Sequence, residues 1–574
     1  MYSSEMSSPV RDKPSVLWNT EPGKGPVEVF PHIHFPELDH LVLDLWDKKR
    51  IFQRTIEERD GAPDYVAYDG PPGTNGAPHI GHILQSALKD LWPRFWTMRG
   101  YRVLRKAGWD THGLPVELTA EKELGLKSKR HIHSYGVERY IEYCRSTVYR
   151  YKEAWTEAIR RIGRFLDTEN YYATLTKDYI QTGWWVLKQF WNKGLLYKDY
   201  RILPYCSRCG TTLSQHETAQ GYRDIEDISL YVKFRHRNEP KTYFVAWTTT
   251  PWTLLSNVAL AVHPELYYLI LEKIDGERLI IAEPARDVVE PMVGNVTVIN
   301  RLKGKEFEGW EYEPLWPFLD QGGNAHRVVC DDYVTATEGT GVVHLALYGE
   351  DDFRLIRKWG FPLIQNVDAE GYCLPSTGPF AGRWFREPGL DQSIADDLRH
   401  RQLLLGEQKV VHSYPHCYRC DTPLMYFAKT GWFLKTTAYK EEMIRANEEI
   451  NWFPPHIKYG RFGNWLEGNV DWNISRERYW GTPLPIWRCP KCQYEVCVGS
   501  LKELEELYGK PLSPQFDPHK PHIDQIFLPC PECDGQMVRE PEVLDSWFDA
   551  GIMPWGQWGY PSSPGSEEVF QKQY

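Results

Sequence analysis

The stretch that begins DYVAYDGPPGTNGAPHIGH at residue 64 constrains the fold of this chain more than any other part of the sequence. The β-branched and aromatic residues from Tyr65 to Tyr68 predict a short strand. Three prolines and two further glycines between Gly70 and Pro78 exclude a helix there. The next apolar residues recur at helical spacing and predict a helix that ends at Gly100 and packs one stripe against a sheet: Ile80, Ile83, Leu84, Ala87, Leu88 and Leu91.

Two histidines stand in the first turn of that predicted helix. His79 and His82 are three residues apart, so they share one face of the helix. Free N–H groups and the helix macrodipole favour anions at this end, and we therefore predict that the two imidazoles bind phosphate. The alternative is that the pair only caps the helix and binds no ligand.

A single aspartate follows the next predicted strand. Asp110 lies on a predicted loop from Gly108 to Gly113, after a predicted strand from Tyr101 to Leu104. Ligands of open α/β sheets bind at the carboxyl ends of the strands, so Asp110 faces the cleft of the two histidines if the strands are parallel neighbours. A carboxylate there would pair with a substrate ammonium group. The alternative is an N-terminal cap for the following helix.

The composition is that of a large globular protein. With 574 residues, 42% of them hydrophobic, the chain can form several cores, and about three or four domains is the size expectation. We find no signal peptide and no apolar run that could span a bilayer, and we predict a cytoplasmic enzyme without a membrane partner. The net charge of -11 argues against nucleic acid as a partner of the whole surface. Basic residues between Arg94 and Arg164 leave a local polyanion-binding patch open.

Eight of the twelve cysteines form four Cys-x-x-Cys pairs, Cys206/Cys209, Cys417/Cys420, Cys489/Cys492 and Cys530/Cys533. In a chain without a secretion signal, such pairs predict zinc ligands ahead of disulfides. The first two pairs lie about two hundred residues apart, so one zinc ion would clamp the ends of an inserted domain. The other two, about forty residues apart, predict a ribbon with a second structural zinc, since four sulfurs leave no open coordination position. The sequence alone leaves other pairings open.

Residues 221–410 change character, with short alternating strand-like pieces between Gly, Pro and Asp turns that predict a β-rich inserted domain. Two of its stretches are unusual, WTTTPWTLLSN at 247–257 and GTGVVHLALYGEDDF at 339–353. Threonine hydroxyls would position a water and a ribose ester rather than attack the ester themselves. The alternatives are ordinary strand threonines, a satisfied buried histidine and a solvated acidic loop.

One tryptophan after the insert is a candidate pocket wall. Pro483 and Pro485 keep the segment after Trp480 extended, so the indole can present a flat apolar surface, with Arg476 and Arg478 beside it. The alternative is an ordinary core tryptophan.

The motifs GPPGTNGAPHIGH and GWDTHGLPVE resemble those of the class I aminoacyl-tRNA synthetases, on the isoleucyl rather than the valyl or leucyl branch. The resemblance extends over essentially the full chain and rests on at least six separated motifs. It implies an α/β fold: a Rossmann-like catalytic core interrupted by a β-rich editing domain, with zinc-ribbon knuckles. It also implies that ATP, with Mg²⁺, binds at His79, Gly81 and His82, and that the amino acid binds at Pro71, Asp110 and Trp480.

The reaction implied by the resemblance is attack of the isoleucine carboxylate on the α-phosphate of ATP, followed by transfer to tRNA(Ile). No protein base is needed for the first step because the nucleophile is already ionised. One methylene separates valine from isoleucine and is worth roughly 1 to 3 kcal/mol, a limit for which isoleucyl enzymes are themselves the standard example. The family therefore edits misattached valine by hydrolysis at a second site.

The residues that match this editing site are Thr248, Thr249, Thr250, Asn257, His344 and Asp352. His344 would lie beside the amino-acid side chain, and Asp352 would hold its ammonium group. The sequence HLALYGEDD departs from the family pattern after the histidine, so Asp351 stays an alternative to Asp352.

We predict the following domain division: an arm at 1–35, the first catalytic part at 36–205, a zinc knuckle and linker at 206–220, the editing domain at 221–410, the second knuckle and return to the catalytic domain at 411–488, a zinc ribbon at 489–535 and a catalytic continuation at 536–574. No KMSKS-like loop or anticodon-binding region follows, so we expect the amino-terminal portion of a longer, monomeric enzyme. The alternatives are a stand-alone deacylase of mischarged tRNA, a valyl-tRNA synthetase, and a zinc-stabilised RNA-binding module without catalysis.

Overall fold

The computed structural model describes residues 34–73, 76–319, 323–337 and 339–573 and has mixed α/β content. Most of the predicted arm, together with Thr74 and Asn75 of the Pro/Gly turn, lies outside the described residues. The helices are α1 Phe35–Lys48, α2 Ile51–Glu57, α3 Ile80–Met98, α4 Leu114–Leu124, α5 Lys129–Tyr135, α6 Val137–Arg161, α7 Lys177–Asn192, α8 Gln215–Ala219, α9 Arg286–Val293, α10 Glu350–Trp359, α11 Leu390–His400, α12 Lys440–Glu449, α13 Arg461–Glu467, α14 Leu501–Tyr508, α15 Ser546–Gly551, α16 Met553–Gly556 and α17 Ser566–Gln573. Among the described residues, no helix is both long enough and apolar enough to cross a bilayer.

The strands are β1 Lys106–Trp109, β2 Asp167–Ala173, β3 Leu196–Cys206, β4 Thr211–Thr212, β5 Tyr222–Arg235, β6 Thr242–Thr248, β7 Ala259–Val262, β8 Tyr267–Lys273, β9 Arg278–Ala282, β10 Val296–Lys303, β11 Val328–Cys330, β12 Val342–Leu345, β13 Leu404–Pro415, β14 Met425–Leu434, β15 Trp472–Asn473, β16 Ser475–Arg476, β17 Ile486–Arg488, β18 Glu495–Cys497, β19 Leu528–Pro529, β20 Gln536–Arg539 and β21 Val543–Leu544.

The first part of the chain contains a small parallel sheet between long helices. Strand β1 pairs in parallel with β2, and residues 64–73 run beside residues 102–110 through two isolated parallel bridges, Asp64 with Arg102 and Gly73 with Asp110. The predicted strand at 65–68 is therefore wrong as a regular strand, because the two bridges lie at Asp64 and Gly73, on either side of it. The strand predicted at 101–104 forms instead at Lys106–Trp109, where β2 supplies its partner. The parallel arrangement assumed for Asp110 is present.

Helix α3 begins at Ile80, one residue after His79, and ends at Met98, as its spacing predicts. The predicted inward stripe is wrong. Ile80, Leu84, Leu88 and Leu91 are 83, 62, 59 and 57% exposed, whereas the buried positions are Ser86, Asp90, Pro93 and Thr97.

The inward face of α3 is held by hydrogen bonds rather than by apolar packing. Arg105 is buried and donates to the Pro93 carbonyl at 3.2 Å and to the Thr97 hydroxyl. Arg164 donates to the Ser86 hydroxyl at 3.3 Å, and the backbone N–H of Phe165 donates to Asp90 at 3.3 Å. Guanidinium groups from outside the helix therefore select its polar face.

Strands between residues 222 and 415 form two sheets. The larger has the order β10-β8-β9-β6-β5-β13, in which β5 and β13 pair antiparallel from Tyr222 to Val232. The smaller has the order β11-β7-β12, with β11 parallel and β12 antiparallel to β7. A shared aromatic and aliphatic core, which includes Trp252, Trp316 and Phe385, packs between them.

The chain enters and leaves this β-rich segment along one pair of strands. Strand β3 before the segment and β14 after it pair antiparallel from Leu196 to Tyr205, and β4 extends the same sheet beside β3. Further along, β17, β18, β19 and β20 form a four-stranded antiparallel ribbon. A separate core packs this ribbon against Ile180 and Trp184 of α7.

Candidate functional site

The histidine turn at the start of α3 is organised by its own backbone. The backbone N–H of Gly81 donates to Nδ1 of His79 at 3.1 Å, and the backbone N–H of His79 donates to Nδ1 of His82 at 3.2 Å. The two rings stack at 3.6 Å between centroids. Both Nδ1 atoms accept, so each neutral ring carries its proton on Nε2, as a donor for a ligand. Burial, and then repulsion from His79, lowers the pKa of His82, which favours the neutral ring.

An aromatic contact joins this turn to the loop that carries Asp110. The indole N–H of Trp155 donates to the Gly76 carbonyl at 3.0 Å, and the same ring lies 4.6 Å from His82 and 6.5 Å from Trp109. The backbone N–H of Asp110 donates to the Pro72 carbonyl at 2.9 Å. Pro71, which is half-buried, therefore lies on the chain segment beside Asp110.

Asp110 is a buried carboxyl group whose charge is costly. Burial, and then repulsion from Asp549, raises the pKa of Asp110 to about 8, while a hydrogen bond from the His112 backbone opposes that rise. A cation placed beside this carboxyl group would restore its ionised form. The predicted role of Asp110 in binding an ammonium group stays a prediction.

Trp480 is brought to the Asp110 loop from more than three hundred residues away. Its indole N–H donates to the Thr111 carbonyl at 2.7 Å, and its backbone N–H donates to Glu117 at 2.7 Å. The ring is fully buried within the core that contains Trp109 and Trp155.

The two arginines near Trp480 in the chain bind buried carboxylates. Arg478 contacts Glu117 and donates to Glu121 at 2.5 Å, and Arg476 donates to Glu217 at 2.6 Å. Arg478 shares Glu117 with the Trp480 backbone N–H, so it neighbours Trp480 through this carboxylate. Both arginines hold their own segment in place through buried carboxylates.

The threonine loop and His344 meet in the β-rich segment. The Thr250 backbone N–H donates to the Thr248 hydroxyl at 3.1 Å, and the hydroxyls of Thr250 and Thr253 lie 3.3 Å apart. The Thr253 hydroxyl in turn contacts Nε2 of His344 at 3.1 Å. Thr249 is half-buried on the same loop.

His344 is a neutral, buried imidazole. Burial lowers its pKa to about 4. Its Nδ1 atom is buried and has no hydrogen-bond partner among the residues that the structure describes. An imidazole with one ring nitrogen left over can bind a water or a substrate group.

Asn257 is placed differently from the threonines. It is fully buried, its side-chain amide donates to the Ala259 carbonyl at 3.0 Å, and its oxygen accepts from the Tyr312 hydroxyl at 2.7 Å. With these partners the side chain holds the loop in place, and its predicted role in editing stays a prediction.

The two candidate acidic residues differ sharply. Asp352 accepts from the Ala346 backbone N–H at 3.1 Å, just beyond β12 and His344, and from the Tyr333 hydroxyl at 3.4 Å. Burial raises its pKa to about 7. Asp351 instead has a side chain that is 60% exposed and pairs with Arg354. Of the two, only Asp352 faces inward near His344.

The eight paired cysteines form two clusters of four. Cys206, Cys209, Cys417 and Cys420 make one cluster, and Cys489, Cys492, Cys530 and Cys533 make the other, with all sulfurs in a cluster within 4.8 Å. Bonded sulfurs of a tetrahedral zinc site lie about 3.8 Å apart, as follows from Zn–S distances of about 2.3 Å. The 3.5 Å from Cys209 to Cys420 and the 3.6 Å from Cys489 to Cys533 fit that geometry. Of the alternative pairings left open by the sequence, the structure adopts the clamp and the ribbon.

Sequence reasoning did not identify three buried residues close to Asp110 and Trp480, namely His112, His519 and Asp549. His112 contacts Asp549 at 2.9 Å through Nδ1 and His519 at 2.8 Å through Nε2, and the His519 ring stacks on Trp480. His112 stands in the same GWDTHG segment as Asp110, which is a usable signal. His519 lies in an irregular segment without any pattern that could have identified it.

Residues 41–574 match the family model described as tRNA synthetases class I (I, L, M and V). The isoleucine–tRNA ligase of Thermus thermophilus is 48% identical over 549 residues, which cover 94% of this chain and 51% of the relative. The isoleucine–tRNA ligase of Clostridium novyi is 45% identical over 543 residues, with the same two coverages. The chain thus spans about half the length of the curated relatives it matches. The match to a LeuRS of Agrobacterium radiobacter, solved with tRNA, covers 91% of this chain and 59% of that chain, at 17% identity and a TM-score of 0.36.

Proposed function

Since this chain belongs to the class I tRNA synthetases of the I, L, M and V group, we propose that the protein is an isoleucine–tRNA ligase. It activates isoleucine with ATP, transfers the aminoacyl group to tRNA(Ile) and hydrolyses misattached valine. Relatives that are named isoleucine–tRNA ligase and are 44–48% identical over most of the chain support this proposal. The structural observation that carries it is the hydrogen bond from the Trp480 indole N–H to the Thr111 carbonyl. It brings Trp480 to the residue next to Asp110, so two candidate amino-acid-binding residues lie together.

In this proposal Asp110 binds the ammonium group of isoleucine, and Trp480 and Pro71 bound the pocket for its side chain. The raised pKa of Asp110, about 8, supports the assignment, because a substrate ammonium would offset the burial that causes it. The substrate carboxylate then points to the reacting phosphate. Binding energy is used for orientation, and no protein group has to remove a proton from the nucleophile.

ATP binds at the amino end of α3, with His79, Gly81 and His82 as its contacts. The stacked rings each keep Nδ1 occupied by a backbone N–H, which leaves the Nε2 donors for phosphate oxygens. The helix amino terminus favours the same anion. Mg²⁺ bound with ATP neutralises phosphate charge during displacement of pyrophosphate.

The editing activity resides in the β-rich segment of the proposed division, at residues 221–410. The hydroxyls of Thr248, Thr249 and Thr250 position the ester and the attacking water, His344 lies beside the amino-acid side chain, and Asp352 holds the ammonium group. The contact between Thr253 and His344 supports a shared site, since it ties the threonine loop to β12. Asn257 keeps the loop in shape.

The two cysteine clusters hold structural zinc. Each has four sulfurs, so neither leaves a position for substrate. The residues that would hold the first ion are Cys206, Cys209, Cys417 and Cys420, and those for the second are Cys489, Cys492, Cys530 and Cys533. Both ions would stabilise chain segments and take no part in the reaction.

The proposal is tested in the full-length protein by replacing His79 and His82 together with alanine. Isoleucine-dependent exchange of pyrophosphate into ATP should be abolished, whereas deacylation of valyl-tRNA should stay at the wild-type rate. The matched control replaces the exposed His400 and His456 with alanine and should change neither activity. If isoleucine-dependent pyrophosphate exchange persists after both His79 and His82 are replaced, the assignment of ATP binding to these histidines is wrong.

The same assays separate the alternatives. Exchange that depends on valine instead of isoleucine would indicate a valyl enzyme. Valyl-tRNA deacylation without any amino-acid-dependent exchange would indicate a stand-alone deacylase, for which all candidate hydrolytic residues lie within this chain. RNA binding without either activity would leave only a zinc-stabilised binding module.

A further inference from the structure

We propose that His519 and His112, clamped between Asp517 and Asp549, are positioning residues that fix Trp480 and Asp110 in the amino-acid pocket and thereby set the affinity for isoleucine. The inference rests on the proposed function and deepens it. Neither histidine belongs to the candidate residues derived from the sequence.

The four side chains form one continuous row, buried at Asp549, His112 and His519 and partly exposed at Asp517. Asp549 contacts Nδ1 of His112 at 2.9 Å, and Nε2 of His112 contacts Nε2 of His519 at 2.8 Å. Nδ1 of His519 then contacts Asp517 at 2.5 Å, and Arg145 closes the row by pairing with Asp517. Both rings and Asp549 are almost fully buried. A buried row of this kind has one geometry in which all its contacts are made.

The row has a defined proton requirement. Its three contacts each need one proton, because ionised carboxylates only accept and two ring nitrogens cannot share a contact without a hydrogen. Burial lowers the pKa of His519 to about 4, while its hydrogen bond with Asp517 opposes that fall. Removal of the His112 ring would leave the buried Asp549 carboxyl group without this partner, whereas Asp517 keeps its contact with Arg145.

The row is coupled to Trp480 through ring contacts. The His519 ring stacks on the indole at 4.8 Å between centroids and 10° between planes, and the His112 ring meets it edge-on at 5.3 Å. The Arg145 guanidinium lies 5.3 Å from the same indole centroid. The Thr111 carbonyl holds the edge of the indole and the His519 ring covers one face, so the two contacts together fix its position.

The row is coupled to Asp110 through the backbone. The His112 backbone donates to the Asp110 carboxyl group, and the His112 ring is fixed by Asp549. Asp549 is also the charge that, after burial, contributes most to the raised pKa of Asp110. By engaging Asp549, His112 both holds the Asp110 loop and moderates a repulsion that would oppose binding of the substrate ammonium with an ionised Asp110.

The test compares His519→Phe and His519→Gln in the full-length protein. Phenylalanine keeps a flat ring on Trp480 but makes no hydrogen bond, whereas glutamine keeps one amide partner for His112 but loses the stacked ring. Pyrophosphate exchange is measured over a range of isoleucine and ATP concentrations. We expect the KM for isoleucine to rise about tenfold or more in both variants, with the KM for ATP within about twofold, as loss of a buried polar contact implies.

The control is His236→Phe, which removes a buried histidine that also meets a tryptophan edge-on, Trp310 at 4.9 Å, but lies in the β-rich segment. Its KM values should equal those of the wild type. If the wild type is active and both His519 variants keep its KM for isoleucine, the inference is overturned but the proposed function stands. The same holds if the KM values for isoleucine and ATP rise together in the variants and their melting temperatures fall. Absence of isoleucine-dependent exchange in the wild type overturns the proposed function and this inference together.

Discussion

Asp351 and Asp352 follow each other in the chain and occupy opposite environments. Asp351 is on the surface beside Arg354, whereas the Asp352 carboxyl group turns inward, where it accepts from the Ala346 backbone N–H just beyond β12 and from the Tyr333 hydroxyl. Helix α10 begins here, at Glu350, and its first turn directs the two carboxyl groups in different directions. Sequence alone left the choice between them open because both directions are compatible with an acidic first turn.

The burial of Asp352 predicts a pH-dependent stability. Its pKa is about 7 in the folded chain, and an unfolded aspartate has a pKa of about 3.9. The protonated carboxyl group therefore stabilises the fold fully below about pH 4, and this contribution is lost as the pH rises through 7. Asp352→Asn keeps a neutral side chain at every pH, so its melting temperature should exceed that of the wild type at pH 8 and match it at pH 4. The effect is at most on the order of 4 kcal/mol.

The measurement is calorimetric unfolding of the 574-residue chain at both pH values. Asp351→Asn is the matched control, because that side chain is exposed and should give the same small change at pH 4 and pH 8. An equal displacement of the Asp352→Asn melting temperature at the two pH values would contradict the prediction.

At the scale of elements, the exposed stripe of helix α3 predicts that its leucines contribute less to the free energy of unfolding than a buried leucine does. Leu84→Ala and Leu88→Ala should change the free energy of unfolding of this chain by less than ~0.5 kcal/mol, because both side chains are mostly exposed. Leu187→Ala in α7 should cost ~2 to 5 kcal/mol, because that side chain is fully buried. Denaturant unfolding followed by circular dichroism measures all three. A cost at Leu84 equal to that at Leu187 would mean that another surface covers the stripe in solution.

Helix α3 also shows what the spacing of apolar residues can and cannot predict. Spacing predicted where the helix begins and ends and which residues share a face, since those depend on the helix alone. It could not predict which face turns inward, because that is decided by Arg105 and Arg164, which bind the polar face from outside the helix. The regular strand at Lys106–Trp109 was misplaced for a similar reason, since its position is fixed by pairing with β2, about sixty residues later.

At the scale of the whole molecule, a site could be predicted from the sequence to the extent that its residues lie in one motif. The cysteine pairs carry their chemistry in their own spacing, and the four-sulfur groupings could be proposed before any fold was known. Asp110 was proposed from its place after a predicted strand and Trp480 from the prolines that follow it, the family resemblance joined them in one pocket, and the fold brings their segments together. His519 could not be proposed at all, because its irregular segment has no signal and its role arises from contacts with His112 and Trp480.

The first cysteine cluster links the two ends of the β-rich segment, so we predict that its loss lowers the zinc content and exposes these ends to protease. Cys206 ends β3 and Cys209 follows it, and Cys417 and Cys420 precede β14, so a shared ion would close the loop formed by the chain between them. Cys417→Ser leaves three sulfurs and should lower the zinc content measured by mass spectrometry from two ions to one per chain. The freed ends should also be cleaved sooner by protease near residues 207–221, because the clamp no longer restricts local opening.

The matched control for the clamp is Cys373→Ser, which alters a buried cysteine that belongs to neither cluster and should keep two zinc ions. Cys530→Ser should likewise remove one ion, but it should leave the protease sites near residues 207–221 protected, because the ribbon closes on itself through β17 and β20. Two zinc ions retained in Cys417→Ser would contradict the four-sulfur clamp. Equal proteolysis in Cys417→Ser and Cys530→Ser would mean instead that the paired strands β3 and β14 hold the two ends together without the metal.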